Sequence, residues 1–245
     1  MSNIADRYNR VTQQLRLAER VSHRRPNSVE LLAVSKRHTE AEVRGLAKLG
    51  QRAFGESYLQ EAIPKIASCE ELNLIWHFIG NIQKNKTREI ANQFDWVHGV
   101  DRLILAQRLS AQRPDNLKPL NLCIQVNISD EPEKGGVSAN PAALLSLCSA
   151  IKQLPRLRLR GLMGMAANTG NPQQQQRSFA RLNQLFGELN AANMALDTLS
   201  MGMSQDFAAA INEGSTLVRI GTALFGARNS PTDEADPLNS HPTQK

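Results

Sequence analysis

The chain has 245 residues, a formal charge of +6, 41% hydrophobic residues and only 4% aromatics. This size fits one large domain or two small ones, with a core filled mainly by aliphatic and alanine side chains. Cys69, Cys123 and Cys148 lie without CxxC spacing, which counts against a disulfide framework or a zinc site and suits a reducing cytoplasm. Cys123 and Cys148 sit in apolar runs and read as small core residues. The polar N-terminus lacks the apolar segment of a secretory signal, and no apolar run is long enough to cross a bilayer. The positive charge eases encounter with anions without identifying one.

In chain order, residues 5–24 read as a helix, with Val11, Leu15, Leu17 and Val21 near helical spacing. "ELLAVS" (30–35) is the first strand. Thr39 with Glu42 then forms a capping box for a helix that stops at Gly50. "RAFG" (52–55) is a second strand, followed by a helix over 58–68. "IWHFIG" (75–80) and a helix near 83–94 come next, then "WVHGV" (96–100), with Asp101 as N-cap for a helix to about 112. "LNLCIQVNI" (120–128) is the clearest strand, and a helix begins near Pro141. "LRLRGLMGM" (157–165), a helix near 173–192, "DTLSMG" (197–202), a short helix near 205–213 and "TLVRIG" (216–221) complete the series.

Eight apolar strands separated by crossover helices imply parallel pairing. They fit a closed single-domain α/β fold, a (β/α)8 TIM-type barrel with an extra N-terminal helix, better than an open sheet. The barrel is expected over residues 1–229, with residues 230–245 as a disordered polar tail. "RLRLR" (156–160) alternates as a strand entering the barrel, with Leu157 and Leu159 on one side, so nucleic acid is not an expected partner.

Closure of a barrel brings its first and last strands together at the C-terminal edge, where active sites of this fold lie. Lys36 ends the first strand there, and Arg219, Gly221 and Thr222 end the last. Ser200, Gly202 and Ser204 follow the seventh. Glycines admit an anion to backbone N–H groups, and hydroxyls add donors, so these two loops suit a phosphate. A lysine beside such a cradle and a lone arginine suggest pyridoxal 5′-phosphate (PLP). An arginine facing the ring nitrogen cannot take up its proton and makes the ring a weaker electron sink. Read alone, these residues also suit a solvated strand-end lysine in a barrel that binds some other phosphate.

The segments "LLAVSK", "FGESYLQE", "WHFIGNIQKNK", "VNISDE", "RGLMGM", "LSMGMS" and "GSTLVRIGTALFGAR" resemble, in order and spacing, the YggS/PROSC family of pyridoxal phosphate homeostasis proteins over residues 10–229. The resemblance implies a barrel like the N-terminal domain of alanine racemase and a Schiff base between PLP and Lys36. It implies phosphate contacts from Ser200, Gly221 and Thr222, with Arg219 at the pyridine nitrogen. Three features depart from the pattern: Ser57 stands for an asparagine, His38 for a basic residue, and a polar tail for a basic end. Lys134 remains in the loop after the fifth strand.

A racemase needs a base on each face of the substrate–cofactor adduct. Lys36 supplies one; Tyr58 could line the pocket or pack the following helix. His77 and His98 could face the pocket or pair within the wall, and Trp76 and Trp96 are expected in the helix–strand core. The expected function is therefore a cytoplasmic, monomeric PLP carrier that buffers the cofactor or passes it to apo-enzymes. A minor amino-acid racemase is the alternative.

Overall fold

The computed structural model describes residues 3–129, 131, 135–167 and 171–226. Nine strands follow one another: β1 (Glu30–Val34), β2 (Ala53–Glu56), β3 (Ile75–Phe78), β4 (Trp96–Val100), β5 (Leu120–Asn127), β6 (Val137–Ser138), β7 (Leu157–Gly164), β8 (Thr198–Ser200) and β9 (Leu217–Ile220). Pairing runs β4-β3-β2-β1-β9-β8-β7-β5, and β4 also pairs with β5, so eight parallel strands close on themselves. The two-residue β6 adds to the end of β5. This is the expected barrel, and closure removes every free sheet edge among its strands.

The helices are α1 (Ile4–Val21), α2 (Glu40–Lys48), α3 (Leu59–Ser68), α4 (Thr87–Gln93), α5 (Leu103–Gln112), α6 (Pro141–Lys152), α7 (Pro172–Ala191), α8 (Phe207–Asn212) and α9 (Thr222–Phe225). Crossovers between parallel strands need such helices. The last one, α9, is a single turn and covers little. The extra helix α1 packs against α2, α8 and α9 and takes the vacant outer position. Arg7 fixes it there: Nε donates to Leu224 O at 2.7 Å and Nη2 to Phe225 O at 2.9 Å.

Two details of the helices differ from the sequence expectation. The buried stripe of α1 is Val11, Leu15 and Ala18, whereas Leu17 and Val21 are exposed. An apolar residue on the outward face satisfies local periodicity as well as one on the inward face. Asp101 is not the N-cap of α5; Arg102 holds that position without a side-chain cap, and Asp101 pairs with Arg102 Nε at 3.0 Å.

Inside the barrel, Leu32, Ala53, Leu217 and Ile79 form one apolar group, and Trp96, Cys123, Met163 and Met165 another. The larger core lies between strands and helices, with Trp76 and Phe54 in it. Trp76 stands where expected. Trp96 does not: side chains alternate along a strand, so Trp96 shares the interior face with His98, and its ring stacks on His77 at 5.2 Å. All three cysteines are buried and free, and burial pushes the Cys123 thiol to about 12 and the Cys148 thiol to about 11.

The β5–β7 register shifts beside Gly161. A Cβ there would lie 1.7 Å from Thr198 O on β8. Gly161→Ala must push two backbones apart. It is expected to cost at least about 2 kcal/mol in urea unfolding; a smaller cost would show that β7 and β8 separate easily.

Candidate functional site

The site begins at the turn after β1. Ser35 N donates to Gly55 O at 3.0 Å, and His38 N to Ser35 O at 3.0 Å. Between them Arg37 takes a left-handed conformation, with φ of +61°. Its N–H donates to Glu61 Oε2 at 2.8 Å, and hydrogen bonding of this kind supports a strained position. The ring of His38 stacks on Phe225 at 4.4 Å. The Thr39–Glu42 capping box then starts α2 as expected.

Below the turn lies a buried brace. Glu56, at the end of β2, is fully buried. Its Oε1 accepts from Ser35 Oγ at 2.6 Å and from Lys65 Nζ of α3 at 2.6 Å. Lys65 Nζ also donates to Ser35 O at 3.0 Å. Burial raises the Glu56 carboxyl above its ordinary value, and Lys65 and Ser35 oppose that shift. The brace touches the outer side of the strand end. Lys36, half-buried, lies in the turn two residues beyond Val34, the last residue of β1.

Opposite Lys36 stands the end of β9. Leu32 pairs with Arg219 and Ala33 with Ile220, which sets Gly221 beside Val34. A Cβ on Gly221 would lie 3.3 Å from Val34 O, so the close approach suits glycine. Gly221 O accepts from Leu224 N and Phe225 N, at 2.8 and 3.0 Å. Thr222 opens α9 and is exposed at the rim. The first N–H groups of a helical turn have no acceptor within it. Backbone donors are therefore exposed at this rim, beyond the end of β1.

Arg219 lies deeper. Its Nη1 donates to Ser200 O at 2.6 Å and to Ser200 Oγ at 2.8 Å; Nη2 donates to Gly164 O at 3.2 Å. Its N–H donates to Gly202 O at 2.9 Å, which extends the β8–β9 ladder into the glycine loop. Burial lowers the guanidinium to about 10, so it remains a cation at neutral pH. All three acceptors of its Nη groups are uncharged, and Nε–H has no partner among the described residues. That donor set fits a neutral heteroaromatic nitrogen better than a protonated one.

The structure thus gathers Lys36, Arg219, Gly221 and Thr222 into one quadrant at the C-terminal edge. Ser200 sits beneath it: its hydroxyl is fully buried between Arg219 and His98, whose Nδ1 is 2.9 Å away. Tyr58 is exposed, with the Arg37 guanidinium 5.9 Å above its ring. Lys134 lies outside the described residues, as does the tail expected at 230–245. The Glu56–Lys65 brace was not foreseen. Its signal was present as a carboxylate in a buried strand and a lysine on the apolar face of the next helix.

His77 and His98 face the interior, and His77 Nδ1 lies 3.0 Å from His98 Nε2. Burial holds His77 down to about 3 and His98 well below its ordinary value, the latter also opposed by His77 and Arg219. Both are neutral when folded. Below pH 6.5 the unfolded chain takes up protons that the folded chain refuses, so stability falls as pH falls. From pH 6.5 to 4, His77 alone is expected to cost about 3 kcal/mol. His77→Asn, which does not titrate, should show a correspondingly flatter pH dependence in urea unfolding; equal slopes would contradict a neutral buried His77.

Residues 8–229 match the family "Alanine racemase, N-terminal domain". A Pseudomonas aeruginosa pyridoxal phosphate homeostasis protein is 55% identical over 229 residues, 94% of this chain and 97% of that protein. The protein of the same name from Escherichia coli is 45% identical over 232 residues, 94% of this chain and 98% of its own length. PipY of Synechococcus elongatus, solved with PLP bound, superposes with a TM-score of 0.79 at 37% identity, covering 91% of this chain and all of PipY. Alanine racemase from Corynebacterium glutamicum shares the fold, with a TM-score of 0.66 at 14% identity over 90% of this chain and 61% of its own. The extent and identity of these matches show that the chain belongs to the pyridoxal phosphate homeostasis protein family, built on the alanine racemase N-terminal domain.

Proposed function

We propose that the protein binds PLP reversibly, with Lys36 as its covalent anchor, and acts in PLP homeostasis by buffering the cofactor or delivering it to apo-enzymes. The observation that carries this reading is Arg219: a buried cation whose side-chain acceptors among the described residues are all uncharged, with N–H donors at Nε and Nη2 left without acceptors there, near the end of β1 and the Gly221–Thr222 rim. The PLP-bound PipY structure and the names of the relatives support it.

When bound, PLP supplies an aldehyde able to condense with a primary amine and a pyridine ring able to accept electrons. Lys36 offers the amine. Gly221 and Thr222 offer backbone and hydroxyl donors to the phosphate. Arg219 would offer an N–H to the ring nitrogen and, being a permanent cation, would not hand it a proton, so the ring nitrogen would stay unprotonated. The brace from Ser35, Glu56 and Lys65 holds the turn that presents the amine.

A carrier suits these residues better than a racemase. His77 and His98 are neutral and bonded within the barrel, and Tyr58 leans on Arg37 at the surface. No described helix is long and apolar enough to cross a membrane. We place the protein in the cytoplasm, as a monomer. Deuterium exchange at Cα of a panel of amino acids separates the two readings. A carrier should exchange far more slowly than about 1 per second, an ordinary turnover rate. Exchange at that rate or above would make the protein an enzyme.

A further inference from the structure

Four polar side chains from four strands form one hydrogen-bonded line through the barrel interior. His77 Nδ1 lies 3.0 Å from His98 Nε2, His98 Nδ1 lies 2.9 Å from Ser200 Oγ, and Arg219 Nη1 lies 2.8 Å from the same oxygen. His77, His98 and Ser200 are fully buried, and Arg219 is 5% exposed.

Donor and acceptor counting gives the line a direction. A guanidinium only donates, so Ser200 Oγ must accept from Arg219. Two arrangements of the remaining protons are then consistent. In one, the Ser200 hydroxyl donates to His98 Nδ1, and His98 Nε2–H donates to His77 Nδ1. The single unmatched group is His77 Nε2–H, the atom that has no partner. In the other, His98 Nδ1–H donates to Ser200, and His77 Nδ1–H donates to His98. That leaves both the Ser200 hydroxyl hydrogen and the His77 Nε2 lone pair unmatched. Unmatched buried polar groups are costly, so the first arrangement prevails.

We infer that His98 is a positioning residue for the cofactor site: as its Nε2-protonated tautomer it accepts from the Ser200 hydroxyl, and so fixes the oxygen that anchors Arg219. With Nη1 on Ser200 and one Nη2 hydrogen on Gly164 O, Nε–H and the second Nη2–H are the donors left for a ring nitrogen. His77 completes the line by accepting from His98 and stacks on Trp96, with the ring planes 7° apart. The consequence for PLP rests on the function proposed above; the relay itself does not.

The test has two arms. In the ligand-free protein labelled with 15N-histidine, two-bond proton–nitrogen spectra at pH 7 should show the proton on Nε2 of both His77 and His98. A proton on His98 Nδ1 would overturn the relay. In the PLP-loaded protein, His98→Asn keeps an oxygen near the Nδ1 position, whereas His98→Phe fills the space without an acceptor. His98→Phe should move the absorbance maximum of bound PLP and shorten its retention about tenfold, the worth of one good hydrogen bond. His98→Asn should restore both. Equal behaviour of the two variants, changed or unchanged, would overturn the positioning role. If the wild-type protein takes up no PLP, the proposed function fails, and the tautomer spectra still decide the relay. The spectra also decide it if His98→Phe does not fold.

Discussion

Lys36→Ala is expected to abolish covalent retention of PLP and to leave only weak binding anchored by the phosphate. The substitution removes the amine. Leu32 and Val34 keep the strand in phase, and the bonds of Ser35 and Arg37 come from backbone and neighbouring side chains. Gly221, Thr222 and Arg219 remain in place. The residual affinity should fall by two orders of magnitude or more, about 3 kcal/mol. Equilibrium dialysis measures the loss, and the absorbance of the attached cofactor should vanish. Full retention of PLP through gel filtration of Lys36→Ala would assign the attachment elsewhere.

Lys65→Met is expected to cost about 3–5 kcal/mol, because it leaves a fully buried carboxylate without its cation. Glu56 still accepts from Ser35, which is a smaller compensation. Burial already raises the Glu56 carboxyl, and loss of Lys65 raises it further. Between the unfolded value of 4.5 and that raised value, the folded variant binds more protons than the unfolded chain. Its stability therefore falls as pH rises through the window and is partly regained as pH falls. Adding Glu56→Gln should recover much of the loss at neutral pH. Urea unfolding checks both. A Lys65→Met variant within about 1 kcal/mol of wild type would show that Glu56 needs no cation, in the manner of a neutral buried acid. The variant also loses the bond to Ser35 O, next to Lys36, so PLP uptake should weaken along with stability.

The strands were legible because apolar runs of four to eight residues recur between amphipathic segments, and closure then sets the end of β1 against the end of β9, with Leu32 beside Arg219. The placement of Lys36, Gly221 and Thr222 at one edge follows directly, since strand ends at one edge of a parallel barrel converge whatever the local detail. Depth within the barrel was not legible. Ser200 and Arg219 are both near strand ends, yet they bond to each other below the rim, and only the register between β8 and β9 decides that. Trp96 was expected in the helix–strand core alongside Trp76. The two-residue period puts it with His98, and His77 offers a polar ring for it to stack on. His77 and His98 are twenty-one positions apart, and their contact needs the β3–β4 register as well as the face of each strand. Glu56 and Lys65 show the same limit. Each is an ordinary charged residue in sequence, and burial alone makes the pair obligatory.

The most direct test of the central claim is to load the protein with PLP, reduce it with borohydride, digest it and map the label by mass spectrometry. Reduction makes an amine–aldehyde linkage permanent, so the label records which lysine held the cofactor. The account predicts one PLP per chain, on the peptide containing Lys36. A label spread over surface lysines such as Lys84 and Lys86, or none at all, would contradict it.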